Sequence, residues 1–299
     1  MNLPKGHLSP SQLNTLDRCE LQFKIFVVEG AKAPPDCALI VKSATHKSIL
    51  EGDLRQKISS GLNMGETDII ELHRAELEQA VPKMNEDPNR TDDPVKIIDT
   101  ETAYFSQIVK ATEPWRKETR PVSVEQDVEG VIGGVPVKGR IDLIRDETTH
   151  NRLQDLKRVG QSPKAGMAEK SRQLATYAKL TGITDVGLVS IVENKAPKVV
   201  PDPGQIVNVS RIEAQYQKAA ARIEWLMQTD NWMPVDVSDS RKDWICSKAY
   251  CGAWRADSKD WLTGRPIACP YGERAQTRIS ISDGNLIDKL NQSVLTQEK

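Results

Sequence analysis

The sequence is poor in aromatic residues and histidine, and it lacks long apolar runs. Only 5% of its 299 residues are Phe, Trp or Tyr, and four are His. No apolar run approaches the roughly 20 residues that a membrane-spanning helix needs, so the sequence predicts no association with a membrane. The first ten residues contain no apolar core of a signal peptide, so we expect a cytoplasmic location.

The whole chain is close to electrically neutral. The sequence contains 41 Lys and Arg against 42 Asp and Glu, which gives a formal net charge of -1. Overall charge therefore gives no indication of nucleic-acid binding, and any such binding must depend on local charge. Between His150 and Leu180, seven basic residues stand against two acidic ones. This stretch is the region whose composition favours a polyanionic partner.

The pattern of apolar residues predicts helices first and then strands that alternate with helices. Ser9, Pro10 and Gln12 form a helix start, with Ser as N-cap and Pro at the first helical position. Helices are predicted over 38–56, 66–82, 96–112, 167–181 and 210–228, and strands over 122–132, 135–144, 152–157, 186–193 and 198–208. Gly133-Gly134 predicts a hairpin turn, and 85–94 has the composition of a loop. The sum is an α/β fold with a mixed central sheet.

Two carboxylates and a lysine lie on neighbouring predicted strands. Asp142 follows Gly139-Arg140-Ile141, and Asp155-Leu156-Lys157 closes the next strand. The side-chain period of two places Asp155 and Lys157 on one face and leaves the Leu156 carbonyl as a further ligand. Carboxylates bind hard cations, which activate water and stabilise charge on a phosphate, while a lysine can orient or deprotonate that water or neutralise the developing charge. Singly these are ordinary solvated residues, but together they predict metal-dependent phosphodiester hydrolysis.

Five segments in order resemble the PD-(D/E)XK nuclease superfamily, in the branch of RecB-like exonucleases and CRISPR-associated adaptation nucleases. They are the Leu8–Leu13 helix start leading to Cys19, His46, Gly139-Arg140-Ile141-Asp142, Asp155-Leu156-Lys157, and Gln173-Leu174-Ala175-Thr176-Tyr177. The resemblance implies a restriction-endonuclease-like mixed sheet flanked by helices, with a helical insertion and a cysteine-rich C-terminal module. It implies a helical region over 1–120, a nuclease core over 121–230, a Cys- and Trp-rich module over 231–275 and a tail over 276–299.

The resemblance also implies an activity. It is that of a Mg²⁺- or Mn²⁺-dependent DNA exonuclease in recombination, repair or phage DNA metabolism, with recombination or helicase proteins as partners. The implied metal ligands are His46, Asp142, Asp155 and the Leu156 carbonyl, and Lys157 positions the attacking water. The implied DNA-binding residues are Gln173, Tyr177, Arg158 and Arg172. The alternative function is a non-catalytic DNA-binding subunit of a recombination or repair complex that retains the nuclease fold.

Three of these assignments have alternatives within the fold. His46 can instead be a partly buried helix histidine. Tyr177 can be a core residue on a helix that covers the sheet, rather than a group that stacks on a base. Glu125 begins a strand pattern and is interpreted as a solvated strand residue rather than a ligand.

Four of the five cysteines form a candidate metal-binding set. Cys246, Cys251 and Cys269 supply three thiols, and Cys19 supplies a fourth if the N-terminal helix packs beside the C-terminal module. Four thiolates suit an iron–sulfur cluster or zinc. The resemblance implies a 4Fe-4S cluster that acts as a structural staple, with a redox-active cluster as a weaker reading. The alternative is a set of unliganded thiols, and Cys37 has no place in the pattern.

Overall fold

The structure is a computed structural model that describes residues 3–33, 37–82, 93–164, 166–234, 251, 253, 258–260, 262–267 and 269. The helices are α1 (Pro10–Arg18), α2 (Glu20–Phe23), α3 (Cys37–His46), α4 (Arg55–Ser60), α5 (Glu66–Ala80), α6 (Pro94–Glu118), α7 (Arg172–Thr181) and α8 (Ile212–Thr229). Two π-helical segments cover Lys24–Val28 and Lys47–Leu54. The strands are β1 (Pro121–Ile132), β2 (Val135–Asp146), β3 (Asn151–Val159), β4 (Asp185–Val192), β5 (Lys198–Pro201) and β6 (Gln205–Ile206).

The strands form one mixed six-stranded sheet. Its order is β1-β2-β3-β4-β5, and β6 pairs with β4 at the other end of that strand. β3 and β4 are parallel, and the other described pairs are antiparallel. The parallel pair is joined through α7, as parallel strands need a crossover connection. The predicted mixed α/β sheet is therefore confirmed.

Local sequence signals explain where the elements begin and end. The Ser9 N–H donates to Gln12 Oε1 over 2.9 Å, and the Gln12 N–H donates to Ser9 Oγ over 3.3 Å, which is a capping box at α1. Gly133 and Gly134 have φ angles of 57° and 79°, as a two-residue hairpin turn between β1 and β2 requires. All residues of β4 are buried, which explains its nearly continuous apolar sequence at the centre of the sheet.

Several boundaries differ from the predictions. The helix predicted over 38–56 becomes α3, a π-helical segment and α4. α6 is longer than expected because Asp93 caps its first turn and the helix continues through Pro114. The strand predicted over 198–208 is divided into β5 and β6. The predicted loop over 85–94 lies almost entirely outside the described residues.

One face of the sheet carries the main apolar core. Apolar side chains of β1 to β4 pack there against the π-helical segment 47–54, α5 and α6. The buried cluster consists of Ile49, Leu50, Leu54, Ile69, Phe105, Ile108, Val109, Trp115, Val124, Leu143, Leu156, Val189 and Ile191. α7 contacts β1, β3 and β4.

The chain divides into two compact units. The first consists of Met1–Leu13 and Pro35–Glu224, and it contains the sheet. The second consists of Asn14–Pro34 and Trp225–Lys299. Within the second unit Glu20 accepts a hydrogen bond from the Met233 N–H over 2.9 Å, and Asp260 accepts one from the Lys32 N–H over 3.0 Å. The domain boundaries at 120, 230 and 275 stay predictions.

Among the described helices, none combines the length and the apolar character that crossing a membrane requires.

Candidate active site

The site lies where β2 and β3 separate. Their paired residues run from Asp146 and Asn151 to Leu143 and Gln154, and the ladder stops there. Beyond it, the Leu156 N–H donates to Asp142 Oδ2 over 2.9 Å, so the carboxylate takes the place of a backbone acceptor. The N–H and C=O of one strand residue point toward the same neighbouring strand, so the Leu156 carbonyl faces the same gap. The two predicted motifs therefore meet at one position in the sheet.

Asp155 and Lys157 share a face of β3, as their spacing predicts. Lys157 Nζ lies 2.9 Å from Asp155 Oδ1, and the Asp155 side chain is almost completely buried. Burial alone would lower the pKa of Lys157, but the nearby charges of Asp155 and Asp142 raise it above the ordinary value. Lys157 therefore stays protonated near neutral pH and provides a fixed positive charge beside the carboxylates.

Asp142 is an unusually basic carboxylate. Burial, and then the negative charge of Asp155, raise its pKa to about 7, although the charge on His46 and the Leu156 N–H oppose this rise. A buried carboxylate whose ionisation is opposed by a neighbouring carboxylate is an environment that a bound cation stabilises.

His46 is brought to the same place from the helical layer. It is the last residue of α3, and the π-helical segment 47–54 follows directly. Its Nδ1 lies 3.7 Å from Glu125 Oε1 and 3.9 Å from Asp142 Oδ2. The ligand atoms of these three residues all lie within 4.8 Å of one another. One nitrogen and two carboxylate oxygens at this spacing fit Mg²⁺ or Mn²⁺.

Two features of this group differ from the prediction. Glu125 belongs to it, although the strand pattern did not distinguish Glu125 from a solvated residue. Asp155 does not complete a group of three at that spacing among the described residues. Its Oδ1 instead contacts Lys157 and accepts a hydrogen bond from Gln173 Nε2 over 3.1 Å.

Gln173 and Tyr177 hold the site together from α7. Ser171 caps the first turn of α7 by accepting the Leu174 N–H over 3.3 Å, and Gly182 ends the helix at a φ of 77°. Gln173 donates to Asp155, as described above. The Tyr177 hydroxyl accepts the Arg140 N–H over 3.3 Å, so the same helix turn is tied to β2.

The position of Tyr177 corrects the expectation that its ring stacks on a base. Its relative exposure is 5%, which leaves no open ring face for a base. A Cβ built on Gly139 would lie 2.4 Å from Tyr177 Cε1, so the ring rests directly on the glycine backbone. Tyr177 is thus the core residue of the alternative interpretation.

Arg158 also requires a correction. Its side chain is 2% exposed, and its guanidinium pairs with Glu101 over 3.0 Å and with Glu193. The guanidinium carbon lies 5.6 Å from the centre of the Tyr104 ring. Because strand side chains alternate, Arg158 projects from the face opposite Asp155 and Lys157. It stabilises the layer of α6 and is not placed to bind a nucleic-acid strand at the site.

Arg172 occupies a different environment. It begins α7, and its Nε donates to Gln215 Oε1 over 3.2 Å. It lies one residue before Gln173, at the end of the basic stretch found in the sequence. Its role in DNA binding stays a prediction.

The cysteines do not form a cluster in the described part of the chain. Cys19, Cys251 and Cys269 are buried, and all three belong to the second compact unit. Thiolates bound to one zinc ion lie about 2.3 Å from it, so their sulfur atoms are less than 4.8 Å apart. The three thiols form no group with sulfur atoms this close. Cys246 lies outside the described residues. The three described thiols, as placed, do not fit a zinc centre, and they give the iron–sulfur cluster no support.

Comparison with known proteins gives a family and two structural likenesses. The model of the PD-(D/E)XK nuclease superfamily matches residues 7–255. A crystal structure of a "Putative exonuclease" from Eubacterium rectale is 12% identical with a TM-score of 0.49, covering 80% of this chain and 88% of that chain. The crystal structure of SSO0001 is 14% identical with a TM-score of 0.30, covering 71% of this chain and 97% of that chain. No curated protein matches the sequence.

The place where β2 and β3 separate is called the fork below. The family match covers all the residues that meet there. Residues 7–255 include His46, Glu125, Asp142, Asp155 and Lys157. The six-stranded mixed sheet flanked by helices is consistent with the restriction-endonuclease-like fold of this family. The chain belongs to the PD-(D/E)XK nuclease superfamily.

Proposed function

We propose that the protein is a Mg²⁺- or Mn²⁺-dependent deoxyribonuclease, and an exonuclease rather than a site-specific endonuclease. The observation that carries the proposal is the meeting of Asp142, Asp155 and Lys157 at the fork between β2 and β3, two of them buried and all three charge-coupled. A site without a reaction has no physical reason to keep two desolvated carboxylates together. The resemblance supports the exonuclease assignment and a place in recombination, repair or phage DNA metabolism.

The residues at the fork have separate roles in this proposal. Asp142, His46, Asp155 and the Leu156 carbonyl would hold the cation, which would supply Lewis-acid stabilisation of the phosphate and lower the pKa of a bound water. Lys157 orients that water and offsets negative charge on the phosphate, because its raised pKa keeps it protonated. The products are strands with 5′-phosphate and 3′-hydroxyl ends.

The DNA strand is held by basic residues near α7, of which Lys164 and Lys170 are exposed and Arg172 is half-buried. Arg172 is at the start of this helix, and Lys164 and Lys170 are exposed in the segment that leads to it. Contacts between basic side chains and phosphates raise the affinity for DNA of any base sequence, and they weaken as the salt concentration rises. Gln173 acts indirectly, since its hydrogen bond to Asp155 fixes the orientation of that carboxylate.

The proposed activity is tested with end-labelled single- and double-stranded DNA, incubated with Mn²⁺, Mg²⁺ or EDTA. We expect metal-dependent shortening from one end, and the label reveals the polarity. Asp142→Asn and Lys157→Met should lose about 100- to 1000-fold in rate, the size of effect that the loss of a group stabilising the transition state has in other enzymes. Matched controls are Glu129→Gln and Lys138→Met, which alter an exposed ion pair on β1 and β2.

Two results would contradict the proposal. If Asp142→Asn degraded DNA at the parental rate, the fork would not be the active site. If the parent bound DNA but left it intact with either metal, the non-catalytic DNA-binding subunit would be the better description.

The iron–sulfur centre stays a prediction from the resemblance, and no step of the proposed reaction depends on it. Cys19, Cys251 and Cys269 are buried in the same compact unit but form no close group, so their placement does not support the cluster. Iron content and visible absorbance of anaerobically purified protein test it. Colourless, iron-free protein with full nuclease activity would exclude both the cluster and its redox role.

A further inference from the structure

Glu125 lies opposite Asp142 on the neighbouring strand. The pairs on either side are Val124 with Leu143 and Gln126 with Ile141, so the register places Glu125 across from Asp142. Residues directly opposite in an antiparallel pair project from the same face, and like charges in this position are destabilising. Glu125 is therefore the residue of β1 that is placed to share a ligand with Asp142.

The backbone at Glu125 is also strained. Its φ is 48°, within the left-handed region that residues with a Cβ rarely adopt. In the described part of the chain, the other non-glycine residues with positive φ are Thr148, in the connection between β2 and β3, and Asp230, just after α8. Glu125 instead lies inside a strand whose pairing continues on both sides. Strain that the surrounding structure imposes on one residue is a reason to look for a function.

The side chain of Glu125 is directed to the proposed metal site. It is 13% exposed, and its Oε1 lies 3.7 Å from His46 Nδ1, which itself lies 3.9 Å from Asp142 Oδ2. These separations are longer than hydrogen bonds. They match the spacing of ligands around one cation, because ligand atoms about 2.1 Å from Mg²⁺ are separated by up to about 4.2 Å.

We infer that Glu125 is a further ligand of the divalent cation, together with His46 and Asp142. The inference rests on the proposed function for the metal itself. It explains why an acidic residue occupies this strained position, since a cation held by His46, Glu125 and Asp142 is attracted by both carboxylates. Asp155 Oδ1 is engaged by Lys157 and Gln173, so among the described residues Glu125 completes the close group of three potential ligands.

The test compares Glu125→Gln with Glu129→Gln. Both variants remove one carboxylate from β1, but Glu129 is 71% exposed and pairs with Lys138 instead. Binding of Mn²⁺ alone is measured by electron paramagnetic resonance and calorimetry. Because loss even of an outer-shell partner weakens metal affinity about 10–100-fold, Glu125→Gln should weaken Mn²⁺ binding at least about tenfold. Glu129→Gln should leave it unchanged.

Thermal unfolding separates a ligand from a merely structural residue. With saturating Mn²⁺, the gain in unfolding temperature should be smaller for Glu125→Gln than for the parent, because one ligand of the cation is lost. A carboxylate that only pairs with His46 would change the metal-free unfolding temperature and leave the gain with Mn²⁺ equal to that of the parent. Glu125→Asp, which keeps the charge but shortens the reach, should bind Mn²⁺ more weakly than the parent.

The outcomes distinguish this inference from the proposed function. If Glu125→Gln binds Mn²⁺ as tightly as the parent while the parent degrades DNA, the inference is overturned and the nuclease assignment stands. If Mn²⁺ binding depends on Glu125 but the parent leaves DNA intact, the inference stands and the nuclease assignment fails. A parent that binds no Mn²⁺ overturns the inference.

Discussion

Replacing Gly139 by alanine should disturb the active site through Tyr177. The added Cβ would lie 2.4 Å from Tyr177 Cε1 and 3.1 Å from its hydroxyl oxygen. The ring must therefore move by roughly 1 Å to restore van der Waals contact. α7 carries Gln173 four residues before Tyr177, so a displaced ring also disturbs the hydrogen bond from Gln173 to Asp155.

The magnitude follows from two contributions. Forcing an extra methyl group into a packed core destabilises by about 1–3 kcal/mol. Loss of the hydrogen bond from the Arg140 N–H to the Tyr177 hydroxyl adds about 0.5–1.5 kcal/mol. We expect Gly139→Ala to lower the free energy of unfolding by about 2–4 kcal/mol in urea titrations. The nuclease rate should fall at temperatures where the variant remains folded.

The control variants make the reasoning specific to this contact. Gly187→Ala places a Cβ in β4 with its nearest neighbour at an ordinary 3.5 Å, so it should change stability by no more than about 0.5 kcal/mol. In a Tyr177→Ala background the ring is absent, and Gly139→Ala should then be close to neutral. A destabilisation by Gly139→Ala that persists unchanged in the Tyr177→Ala background would refute the proposed clash, because interacting residues must show coupling.

Other predictions concern buried charge. Arg116→Met leaves the fully buried Asp53 carboxylate without its ion-pair partner and should destabilise by about 3 kcal/mol in urea titrations, whereas Arg74→Met in an exposed pair should stay within about 0.5 kcal/mol. Burial lowers the pKa of His73 to about 3, below its value in the unfolded chain. The free energy of unfolding should therefore decrease as the pH falls from about 6.5 toward 3, by up to about 1.4 kcal/mol per pH unit. The variant His73→Leu should show a smaller decrease in acid unfolding curves. The pKa of Asp142 is instead raised to about 7. The EDTA-treated parent should therefore lose stability as the pH rises from about 4 to 7, and Asp142→Asn should lack this loss. An equal pH dependence of the two proteins would contradict the raised pKa of Asp142.

The limits of pattern reading are clearest at Arg158 and Tyr177. The sequence predicts both as DNA-binding residues, Arg158 because it follows Lys157 directly and Tyr177 because it ends the Gln173–Tyr177 segment of the family resemblance. Alternation along β3 places Arg158 on the opposite face from Lys157, where Glu101 and Glu193 pair with it. The helical spacing of Gln173 and Tyr177 correctly puts them on one face of α7, but it does not tell whether that face meets solvent or β2.

Interactions between residues close in sequence were sufficient to predict most helices and strands and the motif of Asp142, Asp155 and Lys157. The capping box at Ser9, the Gly133-Gly134 turn and the period of two around Asp155 depend on interactions within a few residues, so they can be read along the chain. Glu125 could not be recognised in this way. Its significance comes from the register of β1 on β2 and from the approach of His46, and both result from packing between segments far apart in sequence. Proximity of this kind exists only once the sheet and the helices have folded against each other.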